Sequence, residues 1–210
     1  MADAIEKIIY INLDSRQDRR EQIEAELSKM GLVAERFAAF ATPHSGIVGC
    51  GYSHLAVLKM AKEHGWKNVL ILEDDFEFTV GQPYFNAAMK TLFDDHATGV
   101  PPDVCMISYI IQKGEPIANK PYIRKVIDGQ TASGYIVFEH YYDTLIDLYS
   151  WAIPLLEQTN EHWLYANDHV WKRLQPDGNW VYFTKRLGKQ RDGYSDNKMC
   201  FMLGEPDHEN

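Results

Sequence analysis

The most compact apolar run in the chain is Val69-Leu70-Ile71-Leu72, and it is followed at once by Glu73-Asp74-Asp75. Four consecutive branched apolar residues are typical of a strand that is covered on both faces of a sheet. In open α/β sheets, ligands bind beyond the carboxyl ends of the strands. The stretch therefore predicts a central strand whose end carries three acids at a functional edge of the sheet.

Segments on both sides of this strand alternate between β-like and helix-like patterns. The expected strands are 8–13, 33–40, 69–72, 104–108, 122–127, 135–138 and 180–183, and the expected helices are 15–31, 51–64, 83–93, 141–156 and one beginning near 167. Strands separated by helices indicate a mostly parallel central sheet with helices on both faces. We therefore expect one α/β domain over residues 1–210, with an irregular tail.

Composition and charge exclude several functional classes. The 210 residues are 45% hydrophobic, as expected for one globular domain, and the net charge of −9 opposes binding to nucleic acid. The three cysteines form no C-x-x-C pair, which argues against a disulfide framework or a zinc ribbon. Neither a signal peptide nor a membrane-spanning run is recognisable, so the expected location is the cytoplasm. The sequence predicts nothing about oligomeric state.

The acidic triplet has two interpretations. It is either a solvated turn or a cation site, and the apolar strand before it and Phe76 and Phe78 after it favour partial burial. Side chains alternate along an extended segment, so Glu73 and Asp75 are expected on one side and Asp74 on the other. Carboxylate oxygens select Mn²⁺ or Mg²⁺, and a nucleotide diphosphate would complete the coordination of such an ion.

Four blocks, in order along nearly the whole chain, resemble glycosyltransferase family 25. They are Ile9-Tyr10-Ile11-Asn12-Leu13-Asp14-Ser15-Arg16 with Asp18-Arg19-Arg20, Gly49-Cys50 with Ser53-His54-Leu55, Leu70-Ile71-Leu72-Glu73-Asp74-Asp75, and Gln190-Arg191 with Ser195-Asp196.

The resemblance implies a GT-A fold and transfer of a sugar from a nucleotide donor, usually UDP-galactose, to a glycan hydroxyl, with inversion and a bound metal. Residues 1–100 would form the nucleotide-binding half, and 101–210 the acceptor half with the C-terminal loop. The implied metal ligands are Asp75, with Glu73 contacting the metal through water or the ribose, and Asp196. The implied donor-binding residues are Asn12, Leu13, Asp14, Arg16, Arg19, His54, Glu73, Asp74 and Gln190.

Three of these assignments have structural alternatives. Arg19 fits either a phosphate contact or a solvated helix face. His54, expected at the start of a helix where an anion is favoured, is either a ligand contact or a structural histidine. Asp168 is either a helix cap or the general base that takes the proton of the acceptor hydroxyl.

The sequence departs from the family pattern at Gly46-Ile47-Val48-Gly49-Cys50 and in the loop after Phe40. These departures leave open the identity of the donor sugar and of the nucleotide base. Two other functions remain as alternatives: a phosphotransfer or phosphatase domain, and a non-catalytic module that binds a nucleotide sugar or a glycan.

Overall fold

A computed structural model describes residues 5–42, 45–96, 100–195 and 200–202 of the chain. Its strands are β1 Lys7–Asn12, β2 Glu35–Ala38, β3 Asn68–Glu73, β4 Phe76–Phe78, β5 Val104–Met106, β6 Ile110–Pro116, β7 Ile123–Gln130, β8 Gly134–Phe138, β9 Trp180–Phe183, β10 Gly188–Gln190, β11 Gly193–Ser195 and β12 Cys200–Met202. Its helices are α1 Gln17–Lys29, α2 Gly46–His64, α3 Gln82–His96, α4 Tyr142–Thr159, α5 His162–Tyr165 and α6 Asn167–Val170, with 3₁₀ turns at Glu139–Tyr141 and Trp171–Leu174.

Eight strands form the central sheet in the order β2-β1-β3-β8-β5-β9-β7-β6. The pairs β1–β2, β1–β3 and β5–β9 are parallel, and the remaining four pairs are antiparallel. The predicted α/β class is confirmed. The sheet is mixed rather than mostly parallel, because β8 lies antiparallel between β3 and β5 and because β6 and β7 pair directly with each other.

Helices cover both faces of the sheet, as the unbroken apolar run in β3 predicts. On one face, α2 and α4 pack against side chains such as Val69 and Ile71. On the other face, α1 and α3 pack against side chains such as Leu70 and Leu72. All four of these β3 side chains are fully buried, so β3 is fixed from both sides and its carboxyl end has a defined position. No described helix has the length and apolarity that crossing a membrane would require.

Helix α2 begins five residues earlier than predicted, at Gly46 instead of Gly51. The prediction was wrong because glycine is unfavourable inside helices and three glycines occupy this segment. Two of them permit close packing. A Cβ atom at Gly49 would overlap the carbonyl oxygen of Phe40, and one at Gly51 would lie 3.1 Å from Ile153. The predicted helix end is confirmed, with Gly65 in the left-handed conformation at φ 66°.

The segment after β9 is more regular than predicted. Strand β10 pairs antiparallel with β4, so that Gln190 lies opposite Phe76, directly after the acidic triplet. The fully buried ring of Phe76 lies against two glycines. A Cβ atom at Gly134 would come within 2.6 Å of Phe76 Cε2, and one at Gly188 would overlap Phe76 Cζ. The close approach of these backbones holds the tail against the end of β3.

We expect Gly188→Ala to lower the free energy of unfolding by about 1–3 kcal/mol, because the added methyl group overpacks the site of the Phe76 ring. Urea unfolding measures this change. Gly81→Ala is the matched control, since the nearest atom to its Cβ would be Pro83 Cδ at 3.8 Å. Equal stabilities of the two variants would contradict the described packing of β10 on β4.

Candidate functional site

The end of β3 collects side chains from both halves of the chain. The triplet Glu73-Asp74-Asp75 meets the end of β1, the helices α1 and α2, and β10. Asp74 and Asp75 are nearly buried, with 8% and 9% of their surfaces exposed. Three adjacent carboxylates at this level of burial need partners, and each of them has a different set.

Glu73 points toward helix α2. Its Oε1 accepts a hydrogen bond from His54 Nε2 at 3.1 Å and one from Cys50 Sγ at 3.4 Å. The other ring nitrogen of His54, Nδ1, is 2.8 Å from the hydroxyl of Tyr135. Because α2 begins at Gly46, His54 lies inside the helix and is fully buried. The predicted position of His54 at a helix start, where it would favour an anion, is therefore wrong.

Asp74 and Asp75 converge on a single guanidinium nitrogen. Arg19 Nη1 donates to Asp74 Oδ1 at 2.9 Å and to Asp75 Oδ2 at 3.2 Å. Asp75 Oδ2 also accepts a hydrogen bond from Gln190 Nε2 at 2.9 Å. The predicted alternation, with Asp74 facing away from Asp75, is wrong because β3 ends at Glu73 and the chain turns at the next two residues.

Excess negative charge shifts the titration of these acids. Burial and the nearby Glu73 carboxylate raise the pKa of Asp75 to about 7, against the attraction of Arg19. Burial also raises the pKa of Asp74, although Arg19 and Asn12 act against it. Burial alone would raise the pKa of Glu73 too, but the hydrogen bond and charge of His54 outweigh it, and the pKa is lowered. The positive charge of Arg19 therefore does not offset the effect of burial and of mutual repulsion on the pKa values of Asp74 and Asp75.

One oxygen of this cluster is suited to a cation. Asp75 Oδ1 is buried and has no hydrogen-bond partner in the described structure. An unpaired buried carboxylate oxygen is costly unless a cation or another donor reaches it. Carboxylate oxygen is the ligand type that Mn²⁺ and Mg²⁺ prefer. Asp75 thus fits the predicted hard-cation ligand by its chemistry and by its unsatisfied oxygen.

Asn12 and Asp14, two of the implied donor-binding residues, have protein partners of their own. Asn12 Nδ2 donates to Asp74 Oδ2 at 2.8 Å and to the Arg16 carbonyl at 3.0 Å, and its Oδ1 accepts from Arg36 Nε at 3.0 Å. Asp14 is exposed and accepts a hydrogen bond from Arg36 Nη2 at 2.6 Å. The Asn12 side chain therefore braces the acidic turn from the end of β1.

The other predicted donor-binding residues lie partly at the surface and partly against the acids. The Arg16 guanidinium pairs with Asp18 at 2.8 Å, at the surface, while its backbone N–H donates to the carbonyl of the half-buried Leu13. Arg19, in contrast, faces the acids and not solvent. Asp196 lies outside the described residues.

Asp168 lies near the triplet, although it comes from the second half of the chain. Its Oδ2 accepts a hydrogen bond from the backbone N–H of Thr131 at 3.3 Å. Burial, together with the Glu73 charge, raises the pKa of Asp168. Its alternative interpretation as a helix cap is wrong, because the N-cap of α6 is Ala166 and Asp168 lies within the first turn.

Thr131 holds Asp168 through an unusual backbone conformation. Its φ of 88° lies in the left-handed region, which a β-branched residue rarely adopts, and the residue is nearly buried. Strain of this kind, on the order of 1–3 kcal/mol, persists where the surroundings impose it and is concentrated at functional sites. No sequence signal identified Thr131, because its residue type opposes the conformation.

Two further residues of the site were missed from the sequence. Arg36 supports Asn12 and Asp14 from β2, and Tyr135 on β8 holds His54. Finding Arg36 required the β1–β2 register, in which it is paired with Tyr10. Tyr135 faces α2 from an unbroken apolar strand whose pattern does not mark it as polar.

Comparison with known proteins gives a curated match over part of the chain. The chain is 30% identical over 109 residues to a glycosyltransferase 25 family member from Drosophila melanogaster, a match that covers 39% of this chain and 17% of that protein. The chain resembles glycosyltransferase family 25. It spans about a sixth of the length of this curated relative. No protein-family model matches the chain.

A solved structure shares the fold. A glycosyltransferase involved in the glycosylation of the major capsid of PBCV-1 matches with a TM-score of 0.50 and 12% identity, covering 84% of this chain and 79% of that one. The A197 protein from STIV matches with a TM-score of 0.47 and 11% identity, over 96% of this chain and 95% of that one. The first match confirms the expected GT-A-type α/β fold.

We expect Asp75→Asn to be more stable than the native chain at pH 8 in the presence of a chelator, by on the order of 2–4 kcal/mol. The folded pKa of Asp75 lies near 7, above its ordinary 3.8. Folding therefore favours the protonated acid, and the native chain loses stability as the pH rises from about 4 through 7. The advantage of the variant should shrink as the pH falls from 8 to 4.

Urea unfolding across this pH range measures the difference. Asp147→Asn, at an exposed position on α4, is the control and should differ from the native chain by less than about 0.5 kcal/mol throughout. A pH-independent difference for Asp75→Asn would show that Asp75 titrates normally in the folded protein.

Proposed function

We propose that this chain is a metal-dependent glycosyltransferase that moves a hexose, such as galactose, from a UDP-sugar to a hydroxyl of a glycan or glycoconjugate, with inversion. One observation carries the proposal: a buried carboxylate oxygen, Asp75 Oδ1, has no partner within a cluster of three acids at the end of β3. The likeness to family 25 over part of the chain supports the same reaction class.

The cluster selects its ligand by charge. A nucleotide diphosphate is repelled by Glu73, Asp74 and Asp75 unless a cation lies between the two negative partners. Mn²⁺ or Mg²⁺ held by Asp75, with Glu73 nearby, would neutralise the diphosphate and stabilise it as a leaving group. The raised pKa of Asp75 supports this interpretation, because it arises from burial and from the Glu73 charge, and a bound cation would offset both.

The surrounding residues fix the position of the acids. Arg19 and Gln190 both donate to Asp75 Oδ2, which orients the carboxylate and leaves Oδ1 available. Asn12 holds Asp74 in the same turn. A side chain fixed by two donors loses little conformational entropy when a ligand binds, so this arrangement favours a preorganised donor site.

Asp168 is our proposed general base. A base is most effective when its pKa lies near the working pH, and burial and the Glu73 charge raise the pKa of this carboxyl above its ordinary value. The N–H of Thr131 holds one carboxylate oxygen. The carboxylate would take the proton of the acceptor hydroxyl as that oxygen attacks the sugar and as the bond from the sugar to the diphosphate breaks.

Asp75→Ala is expected to weaken UDP binding in millimolar Mn²⁺ by roughly 10- to 100-fold, since a charge-assisted contact contributes about 1.5–3 kcal/mol. Calorimetric titration of UDP measures the affinity, and Asp147→Ala is the control. The native chain should also lose this affinity in the presence of a chelator. Equal UDP affinity with chelator and with Mn²⁺ would contradict the metal requirement.

Asp168→Asn is expected to preserve donor binding and to slow transfer by roughly 10²- to 10⁴-fold, the usual effect of losing a general base. Asparagine can still accept the Thr131 N–H, so folding should survive. A turnover assay beside donor titration separates the two effects, with Asp147→Asn as the control. Native turnover in Asp168→Asn would contradict its role, and donor binding without any turnover in the native chain would favour the non-catalytic module.

A further inference from the structure

Three side chains with different ligand atoms meet beside the proposed Mn²⁺ site. The Sγ of Cys50, a ring nitrogen of His54 and a carboxylate oxygen of Glu73 lie within 4.8 Å of one another. Cys50 and His54 are four residues apart on α2 and therefore share one face of the helix. That face is directed at the end of β3, where Glu73 completes the group.

Two separations, from Glu73 to Cys50 and from Glu73 to His54, fit the edges of a tetrahedral zinc site. Zn–S distances near 2.3 Å and Zn–O and Zn–N distances near 2.0 Å require ligand atoms about 3.5 Å apart for S···O and about 3.3 Å apart for N···O. The observed distances are 3.4 Å between Cys50 Sγ and Glu73 Oε1, and 3.1 Å between His54 Nε2 and the same oxygen. Two of the three ligand separations therefore match a tetrahedral site, and the third, between Cys50 Sγ and the His54 ring nitrogen, is at most 4.8 Å.

The histidine also has the supporting partner that metal ligands require. A ligating imidazole commonly donates its second N–H to a neighbouring acceptor, which fixes the orientation of the ring. His54 Nδ1 lies 2.8 Å from the Tyr135 hydroxyl, and the two rings are stacked at 15°. His54 is fully buried, so its Nε2 is held toward Cys50 and Glu73.

We propose that Cys50, His54 and Glu73 form a binding site for a thiophilic divalent cation, Zn²⁺, with its fourth coordination position open. The site differs from the Asp75 site by its ligands. Sulfur and imidazole favour Zn²⁺ over Mn²⁺ and Mg²⁺, whereas the oxygen of Asp75 favours the harder ions. This inference does not depend on the proposed transferase activity, because it concerns binding of the metal alone.

Binding of Zn²⁺ would displace protons from the side chains of this site. Without the ion, the Cys50 thiol donates to Glu73, and burial together with the Glu73 charge raises the pKa of that thiol. When Zn²⁺ binds, the thiol proton leaves to solvent and the Zn–S bond takes its place. The proton that His54 Nε2 donates to Glu73 moves to Nδ1 or to solvent, so that Nε2 can bind the ion while Nδ1–H donates to the Tyr135 hydroxyl. Binding of the ion therefore replaces two hydrogen bonds to Glu73, from the Cys50 thiol and from His54 Nε2, by bonds to the metal.

Co²⁺ substitution tests the site in the full chain. Cobalt bound by a thiolate gives a sulfur-to-metal charge-transfer absorption band, which an all-oxygen site lacks. We expect this band at one Co²⁺ per chain and its displacement by Zn²⁺. Cys50→Ser should abolish it and weaken Zn²⁺ binding by more than the roughly 10- to 100-fold that loss of a supporting partner causes.

Matched controls use the other two cysteines of the chain. Cys105→Ala and Cys200→Ser should each retain the band. X-ray absorption at the zinc edge of the native chain gives an independent result if Cys50→Ser does not fold, and we expect one sulfur near 2.3 Å with nitrogen and oxygen near 2.0 Å. A band that persists in Cys50→Ser, no band in the native chain, or a zinc shell without sulfur would overturn the proposal.

Discussion

Three adjacent carboxylates at the end of a buried strand are the constraint on which the site depends. Each acid has its own set of hydrogen-bond partners. The partners of Glu73 lie on α2, those of Asp74 on β1 and α1, and those of Asp75 on α1 and β10. The alternative, an unpaired buried charge, is too costly to persist. Helix α1, helix α2 and strand β10 thus all supply partners for these carboxylates at the end of β3.

These contacts compensate only part of the negative charge of the three acids. Arg19 serves two carboxylates with one nitrogen, and burial and the neighbouring Glu73 charge keep the pKa values of Asp74 and Asp75 raised despite it. A fold that kept this arrangement only for stability would be better served by neutral residues. The unpaired Asp75 Oδ1 and the strained Thr131 beside Asp168 lie in the same region. Both features cost stability, and they lie where our proposal places the ligand and its reaction.

Sequence patterns predicted most of this architecture, because β3 is an unbroken apolar run and because the apolar residues of α1 recur at helical spacing. The edge strand β6, Ile110–Pro116, was missed because its largely exposed residues show no alternation. The early start of α2 was missed because glycines that permit close packing resemble a loop in the sequence. In the site, the triplet was recognised from its residues, and its partners Asn12, Arg19, His54 and Gln190 were named only through the family resemblance. Arg36, Tyr135 and Thr131 were missed, because they lie far from the triplet in sequence and support Asn12, His54 and Asp168 through strand register and backbone conformation.

A crystal of the native chain grown with UDP and Mn²⁺, measured at a wavelength where manganese scatters anomalously, tests the central claim most directly. Our account predicts an anomalous peak within coordination distance of Asp75 Oδ1, between that carboxylate and the diphosphate of UDP. UDP bound at the end of β3 with no anomalous peak beside Asp75, or bound away from the triplet, would contradict it.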